Sequence, residues 1–291
     1  MYLKEDTINL PQKEFINLES VIKSKSERLA KMLPRFILSY LKRIIHETEL
    51  NGYLEEHQSK FGLEFIEAIL NEFGVIIQYE GLENISTEGR YILAANHPLG
   101  GLDGMALMYV TGKVRKDIVF PVNDLLLNLP NLKDVFIPIN KHGRNAANLA
   151  VFDETFASNK TLLYFPAGLC SRKIKGKVVD LEWKKTFISK ARKYQRDIIP
   201  VHISGSNSGF FYNLANLRKF LGIKVNIEML YLVDEMIKQK NKVIRIRFGT
   251  SIPYTIFDKK YNDSEWANLV KKHVYAIENG DYSSFISRVN N

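Results

Sequence analysis

The sequence predicts an α/β fold, a central mixed β-sheet flanked by helices, behind a helical amino-terminal region over residues 1–74. Three observations point there. From about residue 90, short β-branched or aromatic runs alternate with helical stretches, as in strands joined by crossover helices. Before that point apolar residues recur in pairs every four positions, the spacing of one helix face. The 291 residues, 45% of them apolar, suffice for one large domain with an appendage, and no apolar run approaches the ~20 residues of a spanning helix.

The elements follow in order. In "KMLPRFILSYLKRIIH", Met32, Leu33, Phe36, Ile37, Tyr40, Leu41, Ile44 and Ile45 share one side while Arg35, Ser39, Lys42, Arg43 and His46 take the other. That pattern predicts one amphipathic helix with a basic face, packed on the protein's core or laid on a membrane surface. "LEFIEAILNEFGVIIQYEGL" predicts a helix ended at Gly74 and a strand from Val75 to Tyr79. The α/β domain, 75–291, then offers strands in "RYILAAN", "DIVFPV", "DVFIPI", "TLLYFPAG", "DIIPVHISG", "KVNIEMLYLVDEM" and "VIRIRFGTSI". Helices are predicted in "GMALMYVTG", "RNAANLAVFDETFAS", "WKKTFISKARKYQ" and "DSEWANLVKKHVYAIE".

Charge narrows the partners. The net charge of +9 is concentrated: seven basic residues against Glu27 alone between Ser20 and His46, and ten against Asp180 and Glu182 between Ser171 and Arg196. Such blocks suit an anionic partner, whether membrane surface, acidic carrier protein or nucleic acid, or else a solvated surface. No groove-reading motif accompanies them, so nucleic acid is not expected. The lone cysteine, Cys170, excludes an internal disulfide framework, and the acidic amino terminus lacks the pattern of an export signal. A cytoplasmic protein, peripheral to the membrane, is the expectation.

Several chemistries fail for want of spacing. The sequence has no G-x-G-x-x-G, no G-x-x-x-x-G-K-[ST] and no H-E-x-x-H, and its histidines and cysteine are too scattered for a metal site. "SGSNSG" centres on Asn207 and so is not a nucleophile elbow. "NHPLGGLDG" survives. His97 lies just beyond a strand, at the edge where open α/β sheets place ligands, and Gly100 and Gly101 permit a bend that brings Asp103 back to the imidazole. A carboxylate on one ring nitrogen leaves the other free to take a proton from a substrate amine or hydroxyl. On this stretch alone Asp103 is equally a helix N-cap and His97 incidental.

The order of "NHPLGGLDG", "VFIPINKHGR", "LLYFPAGLCSR" and "IIPVHISG" resembles the four blocks of the glycerophospholipid acyltransferase superfamily, over roughly residues 75–250. The resemblance implies His97 as base and Asp103 as its partner, with Asn96, Asn140, Lys141, Arg144, Phe165, Pro166, Gly168, Ser171 and Arg172 binding acceptor and acyl donor. Backbone N–H groups at Gly168 are the expected oxyanion donors, because glycine permits close approach. The departures select a branch. Five residues rather than four separate His97 from Asp103, Ala167 replaces the usual glutamate, Arg172 follows Ser171, and Lys141 stands for arginine. This variant is similar to the hemolysin-like proteins and the N-acyltransferases that build ornithine or glycine lipids. It implies transfer of a fatty or 3-hydroxy fatty acyl chain from acyl carrier protein, or from coenzyme A, to an amino-acid amine, with no tightly bound cofactor or metal. A lysophospholipid O-acyltransferase is the alternative; a nucleic-acid-binding protein or an inactive membrane-docking protein is a further one.

Overall fold

The computed structural model describes residues 15–122, 129–138, 146–281 and 283–290. The chain divides into two compact units, 1–58 and 59–291. The first holds α1 (Leu18–Lys25), α2 (Glu27–Met32), α3 (Arg35–Ile44) and α4 (Glu47–Glu56). Asn51 ties it together, accepting from the Phe15 and Ile16 amides and donating to the Ile16 carbonyl. The single amphipathic helix expected over Met32–Ile45 is two helices, because Pro34 has no N–H to donate and holds an extended ψ of 144°. Met32, Phe36 and Tyr40 lie on the surface rather than in a core.

The second unit opens with α5 (Gly62–Glu72), followed by β1 (Ile76–Glu80), β2 (Tyr91–Ala95), α6 (Gly101–Thr111), β3 (Ile118–Val122), β4 (Phe136–Pro138) and α7 (Ala146–Ala157). It continues through β5 (Thr161–Tyr164), the hairpin of β6 (Arg172–Ile174) and β7 (Lys177–Val179), α8 (Thr186–Tyr194), β8 (Asp197–Ile203) and α9 (Gly209–Phe220). A 3₁₀ turn at Ile227–Tyr231, α10 (Leu232–Ile237), β9 (Val243–Phe248), α11 (Asp263–Glu278) and α12 (Phe285–Asn290) complete it. The seven-stranded sheet has the order β1-β9-β8-β2-β5-β3-β4. All neighbours run parallel except β8 and β9, so the sheet is mixed, as expected.

Central strands buried on both faces read as unbroken apolar runs, which is why "YILAA" and "TLLY" stood out. On one face Ile92, Ala94, Leu162 and Ile198 join Phe156, Phe187, Trp266 and Val270 from α7, α8 and α11 in the main core. The alternate residues Leu93, Ala95, Leu163 and Ile199 are equally buried, on the opposite face, where α6 packs on the sheet and α5 on α6. Arg196, fully buried, donates to the carbonyls of Phe156 and Lys160 and to the end of α7, with Arg90 on neighbouring carbonyls. Cations satisfying the last carbonyls of a helix account for two arginines that charge counting alone would leave on the surface.

One predicted strand is wrong. "KVNIEMLYLVDEM" forms the 3₁₀ turn and α10, in an excursion between β8 and β9. Its inward side is read at helical spacing, with Glu228 and Glu235 both fully buried. Glu228 accepts from Arg172 and Arg218, and Glu235 from Ser208, so carboxylates rather than alternating apolar residues fix the conformation. The β6–β7 hairpin and α9 were not anticipated either.

Candidate active site

β2 is the central strand, and the chain leaves its carboxyl end as Asn96, His97 and a bend at Gly100, where φ is 82°. A side chain at Gly100 would be strained by the positive φ, and its Cβ would crowd Leu232 at 3.0 Å, so the backbone conformation favours glycine here. Asn96 clamps the exit, donating to the Ile203 carbonyl at 2.8 Å and accepting the Ile203 amide at 2.7 Å. Its amide thereby stitches β2 to β8, buried away from the surface.

The bend returns Asp103 to His97. The Asp103 carboxylate, fully buried in the first turn of α6, lies 3.0 and 3.1 Å from His97 Nδ1 and accepts the amides of Leu99 and Gly104, each at 2.8 Å. Asp103 is not the N-cap: α6 begins at Gly101 with Gly100 in the cap position and no side-chain cap, so Asp103 lies inside the first turn and faces the imidazole. A carboxylate at Nδ1 holds the ring proton there and leaves Nε2 as the basic nitrogen. Burial alone would push the imidazole pKa down, but the Asp103 charge and hydrogen bond outweigh it and raise the pKa above the ordinary 6.5. Phe165, just past β5, stacks flat on the imidazole at 4.1 Å and 17°, with Phe120 edge-on behind it. The ring orientation is therefore fixed from two directions.

A second carboxylate, which charge counting treated only as an acid diluting a basic run, holds the His97 backbone. Asp180 accepts the His97 amide at 3.1 Å, the Ser171 hydroxyl at 2.6 Å and the Trp183 indole N–H at 2.8 Å, while the Ser171 amide donates to the His97 carbonyl at 2.7 Å. Burial pushes the Asp180 pKa up against those three donors. Tyr275 and Lys271 complete the network, Tyr275 Oη accepting the Asp180 amide and Lys271 donating to the carbonyls of Asp180 and Leu181. The only sequence signal for it was an acid three positions before a tryptophan.

The other expected residues fall in different places. Gly168 has φ 66° and its amide closes a turn on the Phe165 carbonyl at 3.0 Å, so that N–H is engaged inside the loop. Pro166 offers its carbonyl to the Lys184 amide, and a Cβ at Gly168 would come 3.3 Å from the Lys184 ammonium. Ser171 is tied to Asp180. Arg172 is buried, donating to Glu228 at 2.8 Å and to the Cys170 carbonyl at 2.7 Å, over the Phe211 ring. Asn140, Lys141 and Arg144 lie outside the described residues.

Cys170 is fully buried, and burial pushes its thiol pKa up to about 11, which removes it as a nucleophile near neutrality. Iodoacetamide at pH 7 is expected to leave turnover unchanged and Cys170 unmodified by intact-mass measurement.

The second basic block resolves into parts. Lys190, Lys193 and Arg192 pair with Asp153 and Asp263, and Arg172 and Arg196 are internal. Lys173, Lys175 and Lys177 on the hairpin, with Lys184 and Lys185, are exposed and without an ion-pair partner among the described residues. Among the described residues no helix is long and apolar enough to cross a membrane.

The chain is similar to known acyltransferases. Two relatives, from Bacteroides thetaiotaomicron and Phocaeicola vulgatus, are each called lyso-glycine lipid O-acyltransferase. Each is 45% identical over 264 residues, covering 90% of this chain and 97% or 95% of the relative. The crystal structure of PlsC, the 1-acyl-sn-glycerophosphate acyltransferase of Thermotoga maritima, aligns at 17% identity and a TM-score of 0.44, covering 74% of this chain and 81% of that one. A family model described as acyltransferase matches residues 20–283, spanning the histidine, the aspartate and every strand of the sheet, and the chain belongs to that family of acyltransferase enzymes.

Proposed function

We propose that the enzyme O-acylates a lyso-glycine lipid, taking the acyl chain from an acyl carrier protein thioester, with His97 as general base. The observation that carries the chemistry is the His97 imidazole held by the buried Asp103 carboxylate at Nδ1, with Nε2 left to accept a proton. In the step proposed, the acceptor hydroxyl oxygen attacks the thioester carbonyl while its proton passes to Nε2. The tetrahedral intermediate then collapses to an ester, and the departing thiolate takes that proton as a thiol. No serine of the enzyme is acylated on this route, in keeping with the Ser171 hydroxyl already donating to Asp180.

The name shared by the two relatives favours a hydroxyl acceptor over the amine suggested by the resemblance to N-acyltransferases. The five exposed lysines beside the Phe165–Arg172 loop suit the acidic surface of a carrier protein, or secondarily the phosphates of coenzyme A. Arg172, which would clasp a phosphate, is engaged by Glu228 instead, and this favours an acceptor without one. A lipid acceptor puts the reaction at a membrane surface, and a carrier-protein donor puts it on the cytoplasmic side.

The test is direct. Purified enzyme is incubated with acyl carrier protein thioester and, in parallel, a lyso-glycine lipid, lysophosphatidate, free glycine and free ornithine, and lipids are read by mass spectrometry. A diacylated glycine lipid is expected from the first mixture. Product from lysophosphatidate or from a free amino acid, with none from the lyso-glycine lipid, would overturn the assignment.

A further inference from the structure

The excursion between β8 and β9 does two things at once. Its inner side walls the site: Gly205 abuts Leu99, Leu232 abuts Gly100, and Met229 and Leu232 pack with Phe211 and Tyr212 around Cys170. Its outer end, from the last turn of α9 to the start of the 3₁₀ turn, reads Leu217-Arg218-Lys219-Phe220-Leu221-Gly222-Ile223-Lys224-Val225. There Phe220 is 87% exposed, Val225 70%, Leu221 59% and Leu217 54%, with Ile223 beside them at 40%. Isolated exposed apolar residues are ordinary, but a contiguous set of five large ones marks an interaction surface.

This tip is built rather than frayed. Gly222, at φ 69°, caps α9 through its amide to the Lys219 carbonyl, and the Ile223 amide returns to Arg218. The Arg218 side chain turns inward, donating to the Ile223 carbonyl at 2.7 Å and to Glu228 at 2.8 Å. Glu228 in turn holds Arg172, whose neighbour Ser171 donates to the His97 carbonyl. An ordered apolar end is thereby braced to the loop that carries the candidate base.

We propose that this tip, Leu217, Phe220, Leu221, Ile223 and Val225 with Lys219 and Lys224, inserts into an anionic lipid surface and seats the active-site edge of the sheet on it. Charge decides the occupant. With Arg218 paired inward to Glu228, the stretch presents two exposed cations, Lys219 and Lys224, and no acid, so a second copy joined by a two-fold axis would set like charges against each other. An acidic protein would answer the lysines and leave Phe220 and Val225 in water. A bilayer answers both, with acyl chains for the apolar residues and headgroups for Lys219 and Lys224. Insertion itself does not depend on which acceptor is used; that the seated lipid includes the acceptor rests on the lyso-glycine lipid reading.

Phe220→Trp in the full chain places a reporter at the tip, since Trp183 and Trp266 are buried. With vesicles of phosphatidylcholine and 30% brominated phosphatidylglycerol, free of any acceptor, its emission is expected to shift blue and be quenched at least twofold. Absence of quenching overturns the proposal whatever the acceptor proves to be. The double variant Phe220→Ser/Val225→Ser is expected to lower partition onto those vesicles about tenfold. It is also expected to lower turnover of vesicle-borne acceptor about tenfold, with turnover of detergent-dispersed acceptor within twofold of the parent. A dimer seen by light scattering and abolished in the double variant would overturn the proposal in favour of a second copy. A raised KM for acyl carrier protein with unchanged partition would overturn it in favour of a protein partner.

Discussion

His97→Ala is expected to lower kcat/KM for acyl transfer by about 10²–10⁴-fold, the usual contribution of a positioned general base. The fold should survive, since the His97 contacts to Asp180 and Ser171 are made by its backbone amide and carbonyl, which alanine retains. An unchanged melting temperature with lost turnover is the expected pair of results; full activity would remove His97 from the mechanism. Asp103→Asn gives a sharper reading. The neutral imidazole is the active form, so activity falls as pH drops through the His97 pKa, which the Asp103 carboxylate holds above 6.5. Asparagine removes that charge and keeps one acceptor oxygen, enough for one of the Leu99 and Gly104 amides, which bond to different oxygens of Asp103. The acid limb of the kcat/KM profile should therefore move to lower pH, and the plateau should fall, by up to roughly 10⁴-fold where loss of the correct tautomer dominates. A plateau loss with an unmoved acid limb would mean that Asp103 only holds the Leu99 and Gly104 amides of the bend.

The pair was legible because strand, bend and helix are each written locally. "YILAA" sets the direction, Gly100 supplies a positive φ, and six positions return the carboxylate to the ring. The parallel strands were equally readable, since burial on both faces leaves continuous apolar runs. What escaped depends on partners distant in sequence. Asp180 reaches His97 across 83 positions, and Arg172 reaches Glu228 across 56. Nothing near either acid announces its partner, so Asp180 reads as a charge in a basic run and Glu228 as part of a strand. The mistaken strand in "KVNIEMLYLVDEM" has the same origin: its inward residues are carboxylates held by arginines and a helix cap elsewhere in the chain. Likewise Asn96 and Arg172 matched motif positions, yet the structure turns both side chains toward protein.

That last placement carries a large stability effect. Glu228 is fully buried with Arg172 and Arg218 as its two cations, and Arg172 itself is only 7% exposed. A buried pair replaced on both sides can be nearly neutral, whereas removing one partner leaves a desolvated charge. Arg172→Met keeps an unbranched side chain but removes the guanidinium over Phe211 and leaves Glu228 with Arg218 alone, so a loss of about 3–5 kcal/mol is expected. In a unit of this size that corresponds to roughly 6–20 °C in melting temperature by calorimetry. A brace also predicts that Glu228→Gln, at a residue sealed from any substrate, reproduces part of the loss. In the double variant Arg172→Met/Glu228→Leu the combined cost should fall well below the sum of the singles. A substrate-binding arginine gives the opposite pattern: a raised KM for acceptor with an unchanged melting temperature, and no coupling to Glu228.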